Sequence, residues 1–146
     1  MSKYQTPCRY DFVGSFLRPQ EVKQAKADYS EGKITKEECD AVVDKAVTEV
    51  VAKQKELGFH IITDGEFRRT YWHLDFMWGF EGIGHEQTGA GIQFNAEMAA
   101  VEDTYLTGKV AVTGEHPFVE HFRFVKALED ENTVAKQTIP APAQFL

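Results

Sequence analysis

Asp64, Glu66, Arg68 and Arg69 are gathered around Gly65, directly after the run Phe59-His60-Ile61-Ile62-Thr63. That run is rich enough in β-branched and aromatic residues for a buried strand. Asp64-Gly65 breaks it at once. The acids and bases therefore leave the end of a strand, where parallel α/β folds place their ligands. A second glycine-broken strand end stands earlier, where Gly14-Ser15 follows Tyr10-Asp11-Phe12-Val13. Glycine lets a ligand approach the backbone closely. Ser15 adds a hydroxyl donor and acceptor, and Glu66 a carboxylate acceptor. Together they suit the two ends of a free amino acid, with the carboxylate on backbone amides and the ammonium on Glu66. Arg68 and Arg69 could pair with phosphate or carboxylate. The plain alternatives stand beside these readings: Ser15 as a turn residue, Glu66 as a solvated loop acid, and Arg68 and Arg69 as solvated surface charges.

Other chemistries lack their patterns. The histidines at 60, 73, 85, 116 and 121 form no His-Glu-x-x-His, and none lies one residue from a cysteine. His116 and His121 are five apart, which does not put them on one helical face. No Gly-x-Ser-x-Gly elbow and no Gly-Lys-Ser or Gly-Lys-Thr ending occurs. No catalytic residue and no metal ligand is assigned.

The elements that would carry these residues follow from periodicity. Pro19 stands where a helix begins, with Val22, Ala25 and Tyr29 at helical spacing and Gly32 as its stop. Thr35 with Glu38 forms a capping-box pair. Behind it Cys39, Val42, Val43, Ala46, Val47, Val50, Val51 and Leu57 make one apolar stripe ended by Gly58. That helix spans about 34 Å at ~1.5 Å per residue. Cys39 lies on the stripe and reads as core packing. Strand, helices and strand in that order make a βαβ crossover, which implies parallel pairing.

After Arg69 the aromatic run 71–78 reads as a short helix with Trp72, Phe76 and Leu74 packed inward; the alternative is an aromatic wall beside a planar ligand. Residues 79–113 are interrupted by glycines and lack a helical period, so they read as an excursion. Within it Leu106-Thr107-Gly108-Lys109 has the composition of a hairpin turn, followed by a strand at 110–112. Pro117 opens another helix with Phe118, Phe122, Val125 and Leu128 on one face. Asp130-Glu131-Asn132 is a turn, and 134–139 is a third strand ended by Pro140 and Pro142. The expected fold class is α/β: residues 1–146 as the N-terminal part of a larger barrel, with about three parallel strands and an inserted hairpin excursion at 79–113.

Composition narrows the partners. The net charge is −7, a poor basis for binding nucleic acid. No stretch approaches the ~20 continuous apolar residues of a membrane span. No basic start followed by an apolar core marks a signal peptide. Two cysteines, Cys8 and Cys39, make no disulfide framework, so the expected setting is the reducing cytoplasm.

Val13-Gly14-Ser15-Phe16-Leu17-Arg18-Pro19 followed by Asp64-Gly65-Glu66-Phe67-Arg68-Arg69 resembles the cobalamin-independent methionine synthase family, in particular its shorter single-barrel relatives often called methionine synthase II. Gln54-Lys55-Glu56-Leu57-Gly58 and 72–76 agree with it, and 79–113 is where the likeness is weakest. The resemblance implies a (β/α)8 TIM barrel and methyl transfer from a 5-methyltetrahydrofolate to homocysteine in methionine biosynthesis. It implies that Val13, Gly14 and Ser15 bind the amino-acid part of homocysteine and that Glu66 contacts it. It also implies zinc on the homocysteine thiol, held by a His-x-Cys pair, a glutamate and a further cysteine from later strands. Nothing in 1–146 matches those ligands. The expectation is an N-terminal portion that carries part of a substrate site and is inactive alone. Two further readings stand: a truncated barrel that forms a homo-oligomer through its open edges without catalysis, and a related thiol alkyl transferase.

Overall fold

The computed structural model describes residues 11–94 and 97–145. They group into two compact units, 11–70 with 119–138, and 71–118 with 139–145.

The first unit is built on two helices and a short parallel sheet. Helix α1 (Gln20–Ser30) starts after Pro19 and buries Val22 and Ala25; Tyr29, expected on the same face, is 47% exposed. Helix α2 (Lys36–Glu56) opens on the expected capping box. The Glu38 amide donates to Thr35 Oγ1 at 3.2 Å and the Thr35 amide to Glu38 Oε2 at 2.8 Å. Two otherwise orphaned donors are thereby satisfied. Glu37 and Glu38 lie in the first turn of α2, and Lys53 and Lys55 in the last, the arrangement the helix dipole favours.

Cys39, Val43, Ala46, Val47 and Val51 of α2 pack with Val22, Ile62, Phe67, Val125 and Ala135 in one core. Leu57 is not part of it. The helix ends at Glu56, Gly58 turns the chain at φ +80°, and Leu57 is left 62% exposed. Helix α4 (Pro117–Ala127) contributes Phe122 and Val125 to this core, as its apolar spacing requires.

Strand β1 (Ile61–Ile62) pairs in parallel with β4 (Val134–Ala135). The Val134 amide donates to the His60 carbonyl at 2.8 Å and the Lys136 amide to the Ile62 carbonyl at 2.9 Å. Both strands are shorter than the expected 59–63 and 134–139. The strand expected at 10–13 is not one. Tyr10 lies outside the described residues, and 11–13 carry no ladder. Their contacts are made otherwise: Phe12 packs its ring on Phe16 and Phe59, and Lys136 Nζ takes the Phe12 carbonyl and the Asp11 carboxylate.

What would be the next rung of β1 is supplied by a side chain. Gln54, 3% exposed on the last turn of α2, accepts from the Thr63 amide with Oε1 at 2.9 Å and donates to the Thr63 carbonyl with Nε2 at 2.8 Å. A carboxamide has one acceptor and one donor end, so it mimics a neighbouring peptide group.

The second unit holds helix α3 (Leu74–Met77) and a long antiparallel hairpin, β2 (Glu81–Phe94) with β3 (Glu97–Ala111). The hairpin excursion expected at 79–113 is therefore present, and longer than its turn composition suggested. The chain reverses between Phe94 and Glu97, not at 106–109. Those residues sit at a bulge. Between Glu81↔Ala111 and Ile83↔Leu106, β2 advances two residues while β3 advances five. Gly82 faces the bulge at φ +79°, and a Cβ there would lie 2.5 Å from the Lys109 carbonyl oxygen.

Leu74 and Met77 are buried, Phe76 is half-buried, and Trp72, expected inward, is 52% exposed. The rings of Phe76, Phe80 and Phe118 surround His116 with centroids 4.7–5.3 Å away. His116 Nδ1 accepts from the Phe118 amide at 3.1 Å, so Nε2 carries the proton and donates to the Phe76 carbonyl at 2.9 Å. No helix among the described residues is long and apolar enough to cross a membrane.

Gln54→Met keeps the side-chain volume but strands the Thr63 N–H and C=O in a buried place. Two unsatisfied backbone groups cost about 3 kcal/mol, to be read as a lower urea midpoint at unchanged m-value. A change below about 0.5 kcal/mol would remove Gln54 as the support of this strand end.

Candidate functional site

The chain turns sharply after Thr63, and local side chains hold the turn. Thr63 Oγ1 accepts from the Gly65 amide at 3.2 Å, and Asp64 Oδ1 accepts from the Glu66 amide at 2.9 Å. Gly65 and Glu66 both take positive φ, +62° and +58°. For glutamate that left-handed conformation costs about 1 kcal/mol, so the surroundings must enforce it. At Gly65 there is also no room: an added Cβ would lie 2.9 Å from Phe16 Cδ2.

The two loops singled out in the sequence meet here. The Phe16 amide donates to the Gly65 carbonyl at 3.0 Å, which ties Gly14-Ser15 to Asp64-Gly65-Glu66. Val13 is 91% exposed, and Gly14 and Ser15 are exposed as well. Glu66 is 5% exposed, so it is no solvated loop acid.

Arg69, read from sequence as a candidate surface charge, is 2% exposed. Its Nη1 donates to Glu66 Oε1 at 3.3 Å, and its Nη2 donates to the Thr138 carbonyl and hydroxyl at 2.5 and 3.0 Å. The Thr138 hydroxyl in turn donates to Glu66 Oε1 at 2.8 Å. Arg68 is not free either. It pairs with Asp44 at 2.5 Å and lies over the Phe124 ring, 4.8 Å from its centroid.

Two more cations bind backbone. Arg18 Nη2 donates to the carbonyls of Glu66 and Arg69, and Lys26 Nζ to those of Arg68 and Arg69. Carbonyls freed by the tight turn thus find donors from α1 and the segment before it. Sequence reasoning passed over Lys26 and Thr138, and it gave Arg18 and Gln54 no role beyond their place in the matched motifs. A cation one helix away from a strand end gives no local pattern. The one available signal was the spacing of three from Glu66 to Arg69.

A cavity of about 350 Å³ opens beside this loop, lined among others by Lys26, Tyr29, Cys39, Arg68 and His121. It does not touch Ser15 or Glu66, and the hydrogen-bonded rim, with its chemistry-bearing groups, is the stronger candidate for the site. Cys39 is 6% exposed, and burial raises its thiol pKa, which keeps it protonated and inert. His121 is pushed down to about 4, first by burial and then by Arg68 and Arg69. No group of three or more His, Cys, Asp or Glu side chains suited to a metal ion occurs among the described residues.

The comparisons with known proteins converge on one family. Residues 10–110 match the family model for the cobalamin-independent synthase, catalytic domain. The uncharacterized protein YxjH of Bacillus subtilis (strain 168) is 37% identical over 138 residues, covering 94% of this chain and 36% of its own. A 5-methyltetrahydropteroyltriglutamate–homocysteine methyltransferase of Thermotoga sp. (strain RQ2) is 32% identical over 77 residues, 53% of this chain and 10% of that one. The crystal structure of a putative vitamin-B12 independent methionine synthase from Listeria monocytogenes superposes with a TM-score of 0.73 at 38% identity, over 92% of this chain and 36% of that one. The chain thus spans about a third of the length of YxjH and of the Listeria protein.

Above pH 6.5 the His121 ring is neutral in both folded and unfolded chains. Between 6.5 and about 4 only the unfolded chain takes up the proton, so stability falls as the pH drops through that window. His121→Gln is expected to lose less stability than the parent between about pH 7 and about pH 4, measured as the difference between the two urea midpoints. Parallel losses in parent and variant would mean that the ring is charged when folded.

Proposed function

Because the chain belongs to the cobalamin-independent synthase family and matches its catalytic domain, we propose that it forms the amino-acid-binding part of a homocysteine S-methyltransferase, one that uses a 5-methyltetrahydrofolate donor and serves methionine biosynthesis in the cytoplasm. The observation that carries this reading is the Phe16–Gly65 backbone bond. It sets an exposed serine loop against a buried glutamate, as a zwitterionic amino acid requires. The carboxylate of homocysteine is held by backbone amides of Val13-Gly14-Ser15 and the Ser15 hydroxyl. Its ammonium meets the Glu66 carboxylate. Both contacts are charge-assisted, the stronger kind of hydrogen bond.

In such an enzyme zinc on the homocysteine sulfur favours the nucleophilic thiolate. A catalytic zinc takes three protein ligands, and the described residues do not gather such a set. They do not fit that ion, and the work assigned to 1–146 ends at binding and orientation. The thiol and the donor are handled by the remainder of a longer (β/α)8 barrel of which 1–146 is the N-terminal portion.

A second reading concerns association. Among the described residues β1 and β4 pair only with each other, so each keeps one unpaired edge, and open edges recruit further strands. The isolated chain is then an oligomer, and a single monomeric species in sedimentation velocity excludes that.

Titration calorimetry tests the main reading. The chain is expected to bind L-homocysteine, with Glu66→Gln weakening it about tenfold or more through the lost charge on the ammonium. Homocysteine, 5-methyltetrahydrofolate and zinc are expected to yield no methionine with this chain alone. Absence of homocysteine binding would overturn the site, and methionine formation would overturn the restriction to binding. Preference for a sulfonate thiol over homocysteine would move the chain to another class of thiol alkyl transferase.

A further inference from the structure

We propose that Thr138 and Arg69 are positioning residues that hold Glu66 with one carboxylate oxygen satisfied and the other turned to the ligand's ammonium. The inference rests on the reading of Glu66 given above. Both hydrogen bonds recorded to the Glu66 carboxylate fall on Oε1: Thr138 Oγ1 at 2.8 Å and Arg69 Nη1 at 3.3 Å.

The proton inventory leaves one arrangement. A carboxylate only accepts and a guanidinium only donates. The single Thr138 hydroxyl proton therefore goes to Glu66, while its oxygen receives Arg69 Nη2–H at 3.0 Å. The same Nη2 also donates to the Thr138 carbonyl at 2.5 Å. Thr138 thus holds the guanidinium by backbone and side chain together.

Charge-assisted N–H···O bonds ordinarily lie at ~2.7–2.9 Å. The Arg69–Glu66 contact, at 3.3 Å, is longer than that. Arg69 orients Glu66 without closing a tight pair, which leaves the carboxylate able to attract a second cation. The backbone restrains Glu66 as well, through Asp64 on its amide and Arg18 and the Arg69 amide on its carbonyl. A glutamate on an open loop samples several rotamers and loses them on binding. Here that freedom is already lost on folding. Thr138 lies just beyond β4 and Glu66 just beyond β1, so the parallel pairing of the two strands brings the pair together.

The test compares the 146-residue chain with Thr138→Val, which keeps the shape without the hydroxyl, and with Thr138→Ser, which restores it. Two measurements are made. In nitrogen-15 NMR the Arg69 Nη protons of the parent are expected to give separate, slowly exchanging signals, of which the Nη2 signals shift in Thr138→Val, where the carbonyl contact alone remains, and return in Thr138→Ser. In calorimetry, homocysteine affinity is expected to fall about tenfold in Thr138→Val and to return to within about twofold in Thr138→Ser, the scale of one hydrogen bond to a charged group. Averaged Arg69 signals in the parent overturn the positioning role. So does a Thr138→Val chain that binds homocysteine as tightly as the parent, although the functional reading then stands. If the parent binds no homocysteine, the functional reading fails and the ammonium role with it. A merely structural threonine would leave the Arg69 signals alone.

Discussion

Thr63 is a buried backbone unit one residue past the last ladder pair of β1, and its N–H and C=O must be satisfied without a strand beside them. Leaving both bare costs about as much as a large core truncation. The Gln54 carboxamide meets both demands at once. It also ties the C-terminal end of α2 to the point where the strand gives way to the loop. Everything functional lies downstream of that tie. The Thr63 hydroxyl that receives the Gly65 amide, the Asp64 carboxylate that receives the Glu66 amide and the left-handed pair at 65 and 66 all depend on where Thr63 stands.

Glu66 shows how a strained residue is retained. A positive φ on glutamate is unfavourable by itself and survives where the surroundings over-determine it. Asp64, Arg18, Arg69 and Thr138 come from three separated stretches of sequence and converge on this one residue. The carbonyls of 68 and 69, turned out of any ladder, are met by Arg18 and Lys26. Both cations are half-buried, and in donating to these carbonyls they stand in for absent strand neighbours.

The sequence made some of this legible and hid the rest for physical reasons. Helix α2 was readable because three local signals agree: the Thr35–Glu38 box, the apolar stripe and Gly58 at the end. The strand end before Asp64 was readable as a glycine-broken apolar run, whereas the same signal before Gly14 marked no strand among 11–13. Strand length was not, because a side chain can replace a ladder neighbour, and Gln54 gives no sign of doing so in isolation. The hairpin at 79–113 was expected, but its length and its reversal were not, because glycines mask alternation and Gly108 carries the same signal in a bulge as in a reversal. The burial of Arg69 was hidden by the general exposure of arginine, although its pairing with a carboxylate was open to the sequence. Acceptors at Glu66 and Thr138, the latter far along the chain, are among those that offset its burial. Trp72 was expected inward on hydrophobicity alone, but α3 is a single turn and has room on its inner face for Leu74 and Met77.

The division of labour within the site has its own logic. Recognition of an amino acid needs a few fixed dipoles and one carboxylate, and the 13–15 segment and the turn after β1 are tied together within one compact unit. Activation of a thiol by a metal needs at least three side chains converging from different elements, a stronger geometric demand. In the proposed reading the residues gathered near Gly65 meet the first requirement. The second has no counterpart among the described side chains, since Cys39 is committed to the core and His121 to a buried neutral state. On that same reading, a rim whose glutamate is oriented by Arg69 and Thr138 would bind an amino acid independently of any metal, and recognition and thiol activation would then be separable tasks within the architecture.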